Sequence, residues 1–147
     1  MSEKSARRKA DLAFHDLPVG TDLGSIEYEL TEALARRHLN ATHQSQYPGD
    51  GGRAFAPVSI LASDGIRLAE ASFDISESVH AGQRLEVVNL PIVGSRITVA
   101  GSVTEKFEKG GRQYVVIDVT SRDDGGRLLA RGRMVGVARY RPEEGPG

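Results

Sequence analysis

A chain of 147 residues with 39% hydrophobic and 27% charged residues suits one globular domain with one core. It holds no cysteine, which excludes disulfides and thiolate chemistry, and its formal net charge of -1 argues against nucleic acid as a main partner. No apolar run is long enough to span a bilayer and Met1 to Asp16 lacks the apolar centre of a signal peptide, so a cytoplasmic protein with no membrane partner is expected.

Residues 1–16, with the basic cluster Arg7, Arg8 and Lys9, and residues 141–147, rich in proline and glycine, read as disordered tails around one domain over 17–140. Ser25 to Leu30 alternates apolar and polar residues and predicts a half-buried strand. Thr31 then offers an N-cap to a short helix over Glu32 to Thr42, in which His38 shares a face with Leu34 and is read as part of the interface with a sheet. His43 to Ala56 reads as a loop, for it contains Pro48, Gly49, Asp50, Gly51 and Gly52. Val58, Leu61, Ala62, Gly65, Ile66, Leu68 and Ala69 then form an apolar stripe at helical spacing, which predicts a buried helix over 57–72.

Everything after Gln83 reads as strand: 84–92, 96–109, 112–122 and 127–140. The joints Val93-Gly94-Ser95, Lys109-Gly110-Gly111 and Asp123-Asp124-Gly125-Gly126 read as hairpin turns, which predicts a four-stranded antiparallel meander. The β-branched run at Tyr114 to Val119 carries little charge and suggests edge-to-edge pairing into at least a dimer. One strand, two helices and a meander make an α+β arrangement, a long helix wrapped by a curled antiparallel sheet. A hot-dog fold fits this pattern; so does a cystatin-like or nuclear-transport-factor-like curled sheet.

His80-Ala81-Gly82-Gln83-Arg84-Leu85-Glu86, Val93-Gly94-Ser95-Arg96-Ile97-Thr98-Val99, Val103 to Arg112 and Leu129-Ala130-Arg131-Gly132-Arg133 together resemble the MaoC-like dehydratase family over about residues 18–140. The resemblance implies a hot-dog fold, a ligand that is an acyl thioester of coenzyme A or acyl carrier protein, and no cofactor. It also implies a site shared with a second hot-dog subunit, as a homodimer or heterodimer. Ala56-Pro57 matches the family's turn before its buried helix, and the stretch at His80 lies near the family's acyl pocket.

Active hydratases of that family carry Asp-x-Asn-Pro-x-His between the two helices. Here the corresponding loop reads Ala41-Thr42-His43-Gln44-Ser45-Gln46-Tyr47-Pro48-Gly49-Asp50 and the motif is absent. Water addition to an enoyl thioester needs an acid and a base within reach of one water, and Gln44, Ser45 and Gln46 supply neither. His43 and Asp50 form the one candidate catalytic pair in the loop; the competing reading is a polar surface loop with a turn aspartate. Gln46 and Tyr47 are candidates for bonding a thioester carbonyl. Arg131 and Arg133 point to one face of their strand, as solubilising charges or as partners for coenzyme A phosphates.

The expected function is therefore that of an acyl-thioester-binding hot-dog subunit, catalytically weak or silent. The alternatives are a hydratase or dehydratase with a rewired His43/Asp50 loop, and a thioesterase using Asp64 on the buried helix. In the last case an ion pair of Asp64 with Arg67 is the competing reading. No histidine or carboxylate spacing suggests a metal site.

Overall fold

A computed structural model describes residues 10–11, 18–41, 49–50, 53–74 and 79–137, with side chains at 18–38, 55–72 and 79–137. Five strands form an antiparallel sheet: β1 (Asp22–Glu29), β2 (Val79–Val87), β3 (Arg96–Lys109), β4 (Arg112–Arg122) and β5 (Leu128–Val137). Their order across the sheet is β1-β3-β4-β5-β2. Helices α1 (Glu32–Ala41), α2 (Ser59–Ala62) and α3 (Asp64–Ser72) come between β1 and β2 in the chain. Two-residue strands pair Ala10–Asp11 in parallel with Phe73–Asp74, and Gly49–Asp50 in antiparallel with Arg53–Ala54.

Strand alternation builds the core. Ile97, Val99 and Val103 of β3 and Val115, Ile117 and Val119 of β4 are buried beneath the helices, where they meet Ile60, Leu61 and Leu68. Register shifts at Asp22/Ser25, His80/Gly82, Val103/Glu105 and Ser121/Arg122 interrupt the ladder, and such bulges increase the local twist. The helix approaches most closely at Gly101. A Cβ there would stand 2.6 Å from the Asp118 carbonyl oxygen and 2.8 Å from Leu68 Cδ2.

The turns at 110–111 and 123–126 join β3 to β4 and β4 to β5 as the sequence predicts. The first predicted hairpin is absent. The strand predicted over 84–92 spans Val79–Val87 instead, and it pairs with β5 rather than with β3. The connection over 88–95 is too long for a two-residue turn and holds Pro91, which has no N–H to give a ladder. It crosses to the far side of the sheet, where Gly94 N–H donates to Leu30 O (2.8 Å) and Leu30 N–H to Ser95 O (2.8 Å), and this sets β3 beside β1. β4 is therefore the centre of the sheet, and the edges are β1 and β2 rather than the run at Tyr114 to Val119.

The single helix predicted over 57–72 is divided. Leu61 N–H to Val58 O (3.0 Å) and Ser63 N–H to Ile60 O (3.2 Å) are tight i to i+3 bonds, and Arg67 N–H to Ser63 O (3.0 Å) resumes the α spacing. A tight first turn of this kind is common at helix starts. Replacing Gly101 by alanine is expected to destabilise the protein by about 1–3 kcal/mol in urea unfolding, because the clash is with backbone. Gly132→Ala, whose Cβ would meet Arg84 O at 3.7 Å and Leu85 Cδ1 at 3.8 Å, is expected to leave the unfolding midpoint nearly unchanged.

Candidate functional site

Asp64 opens α3 with its side chain turned into the core, 1% exposed. Burying a carboxylate is costly unless donors surround it. Oδ1 accepts from the Tyr28 hydroxyl (2.8 Å) and Arg67 Nη1 (2.7 Å), and Oδ2 accepts from the Ser121 hydroxyl (2.6 Å). Arg67 Nη1 also donates to Ile60 O (3.1 Å), and its guanidinium lies 4.7 Å from the centre of the Tyr28 ring. Burial pushes the Asp64 carboxyl above its ordinary 3.8, against the opposing pull of Ser121, Tyr28 and Arg67. Burial first, and then the charge of Asp64, raises the Tyr28 phenol well above its ordinary 10.0, so it remains a neutral donor. This cluster joins β1, α3 and β4. It ties these elements together with both carboxylate oxygens engaged.

His38 meets α2: its Nδ1 lies 3.4 Å from the Ser59 hydroxyl, a long contact between α1 and α2. Partial burial, followed by the charges of Arg67 and Arg37, holds its pKa below the ordinary 6.5. The neutral ring is the form that the fold prefers.

Of the predicted site residues, Ala56, Pro57, His80 and Arg131 are described with their side chains. His43, Gln46 and Tyr47 lie outside the described residues, and of Asp50 only the backbone is described, in its two-residue strand. Ala56 and Pro57 are buried at the entry to α2, where Ala56 N–H donates to Pro91 O (2.7 Å). His80 is exposed on edge strand β2, paired in register with Gly136. Arg131 is on the sheet face turned away from the helices and is ion-paired with Glu86 (2.8 Å). That face carries a groove of about 600 Å³ lined by residues of β2 to β5, among them Arg84, Arg131 and Arg133.

Sequence reasoning did not single out Tyr28 or Ser121. The available signal was phase, since Ser121 continues the core-facing series of Val115, Ile117 and Val119, and a hydroxyl at such a position needs a buried partner. Of the segments that carry the resemblance, Arg96 to Val99 lie in β3 and Leu129 to Arg133 in β5. Among the described residues no group of histidines and carboxylates is arranged to hold a metal, and no helix is long and apolar enough to cross a membrane.

Asp64→Ala is expected to cost about 3 kcal/mol in chemical unfolding, since it strips a buried ion pair of one partner, and Ser121→Ala about 1 kcal/mol. A raised folded pKa favours the protonated form in the native state. The contribution of Asp64 to stability should therefore be fullest below 3.8 and decline as pH rises through its folded value. His38 has the opposite sign. Its contribution is present above 6.5 and lost as pH falls through the folded pKa, and an NMR titration of its ring should give a midpoint below 6.5.

No family model matches the chain, and no curated protein matches it. Solved structures do. A monoamine oxidase regulatory protein from Archaeoglobus fulgidus has a TM-score of 0.76 at 13% identity, over 91% of this chain and 98% of that one. The (R)-hydratase PhaJ1 from Pseudomonas aeruginosa has a TM-score of 0.72 at 15% identity, over 93% of this chain and 95% of that one. The HadBC (3R-hydroxyacyl-ACP dehydratase) complex from Mycobacterium tuberculosis matches with a TM-score of 0.60 at 17% identity, over 80% of this chain and 98% of that one. The curled five-stranded sheet and the helix packed on it are thus the hot-dog fold of the MaoC-like dehydratases and (R)-hydratases.

Proposed function

We propose that this chain is an acyl-thioester-binding subunit of a hydratase or dehydratase, holding coenzyme A or acyl-carrier-protein thioesters with little or no turnover of its own. The observation that carries this reading is a hot-dog scaffold combined with a loop in which the Asp-x-Asn-Pro-x-His sequence is missing. Loss of general acid–base help lowers rates by roughly a hundredfold to ten-thousandfold without removing binding, and in this reading the thioester lies beside Ala56, Pro57 and His80. In this reading Gln46 and Tyr47 bond the thioester carbonyl.

A second hot-dog subunit, identical or different, supplies the missing groups. Neighbours of the same fold include subunit complexes. The β2 edge has an open row of backbone donors and acceptors, and Val79 and Val87 on it and Val88 and Leu90 just beyond are exposed. Pairing through β2 would cover them.

The active-enzyme alternative rests on His43 and Asp50 as a rewired pair. The thioesterase alternative rests on Asp64, whose 1% exposure and three donors disfavour it as a base for water.

Calorimetry of the purified protein with a panel of acyl thioesters should show binding, while a spectrophotometric hydration assay with crotonyl thioester should show little turnover. Rapid turnover that disappears in His43→Ala or Asp50→Asn would replace this reading with an active hydratase, and absence of binding to every thioester would remove both. Sedimentation at micromolar concentration should show at least a dimer, weakened by Val87→Lys.

A further inference from the structure

The face of the sheet turned away from the helices contains a second feature. Register places two rows of side chains across β3, β4, β5 and β2. Ser102, Asp118, Arg133 and Arg84 form one row, and Ala100, Thr120, Arg131 and Glu86 the next. In the second row Arg131 Nη1 reaches Glu86 Oε1 at 2.8 Å. In the first, Arg133 makes a forked pair with Asp118, Nε to Oδ1 at 2.9 Å and Nη2 to Oδ2 at 3.2 Å. Arg84 stands directly opposite Arg133 in the ladder, and its side chain makes no ion pair or hydrogen bond among the described residues.

Like charges directly opposite one another on neighbouring strands destabilise a sheet. Nothing in the packing requires arginine at position 84, which is exposed. Arg133 is compensated by its forked pair with Asp118 and by the charge of Glu105, whereas the Arg84 side chain has no such partner among the described residues; a local rule broken in this way is a mark of functional sites. The groove over these rows measures about 600 Å³, within the size range of small-molecule sites. Three arginines and two carboxylates line it, and Glu105 lies within electrostatic reach of Arg133, so Arg84 is the lining cation that no carboxylate pairs. Asp118 and Glu86 use part of the Arg133 and Arg131 forks and so fix their orientation, and the Thr120 and Ser102 hydroxyls border the same groove.

We propose that this outer groove binds a phosphate-bearing small molecule whose phosphate is bridged by Arg84 and Arg133. The Arg84 fork and the Nη edge that Asp118 leaves open on Arg133 of the adjacent strand match the oxygens of one phosphate group, and such bonds are charge-assisted. The bound anion would turn the repulsive Arg84/Arg133 pair into an attractive one. This site is on the opposite side of the sheet from Ala56 and Pro57 and does not depend on the acyl-thioester reading.

The test is calorimetric titration of the full chain with sodium pyrophosphate and with ADP, neither of which carries a thioester. Both are expected to bind, more weakly as sodium chloride is raised. Tighter binding of ADP assigns the site to a nucleotide, and equal or tighter binding of pyrophosphate to a free phosphate. Arg84→Gln is expected to weaken binding by about tenfold or more and, in phosphate-free buffer, to raise the melting temperature by relieving the repulsion. That rise also demonstrates that the variant folds. Failure of both anions to bind the wild-type chain, or unchanged affinity in Arg84→Gln, would overturn the proposal.

Discussion

The buried carboxylate of Asp64 is the constraint around which the fold is organised. A charge at 1% exposure must be surrounded by donors. Here those donors come from three places: Tyr28 on β1, Arg67 one turn further along α3, and Ser121 at the core-facing end of β4. Each donor fixes an element. Tyr28 sets the phase of the edge strand, Arg67 stiffens the first turn of the helix and caps Ile60 O, and Ser121 sets how far the helix slides along the sheet. Apolar packing of Leu68, Val99 and Ile117 tolerates small displacements; a carboxylate gripped at both oxygens does not.

Once the helix is pinned, the two faces of the sheet acquire different chemistry. The covered face is aliphatic, with Gly101 absent of side chain where Leu68 presses in. The outer face is a lattice of arginines, carboxylates and hydroxyls. Arg131 belongs to this second face, and an arginine there is separated by the sheet from anything that lies beside α2 and α3. Arg131 and the pair Ala56 and Pro57 therefore lie on opposite sides of the sheet.

Much of this architecture is legible in the sequence, because alternation and turn chemistry are local. The strands 96–109 and 112–122 follow from glycine turns and period-two patterning, and both have those bounds. The pairing of β2 with β5 is not legible, since it joins residues about fifty positions apart and leaves no local signature. Pro91 was the one hint that the run over 84–92 could not continue as a strand. The helix over 57–72 was visible from its apolar stripe, whereas its tight first turn depends on backbone bonds to Pro57 and Val58 that no side-chain pattern reports. The site is less legible still. Asp64 was visible as a carboxylate on an apolar helix, but its role came from Tyr28 and Ser121, which are 36 and 57 positions away.

In the proposed reading, the absence of Asp-x-Asn-Pro-x-His from a chain with this fold separates binding from turnover, and the thioester binds on the helix-covered side beside Ala56 and Pro57. Amide chemical-shift mapping with crotonyl-N-acetylcysteamine, a thioester without phosphate, tests that directly. The account predicts shifts concentrated at Ala56, Ser59 and the start of α3, with Thr120, Arg131 and Arg133 unmoved. Shifts concentrated on those outer-face residues, with Ala56 and Ser59 unchanged, would contradict it.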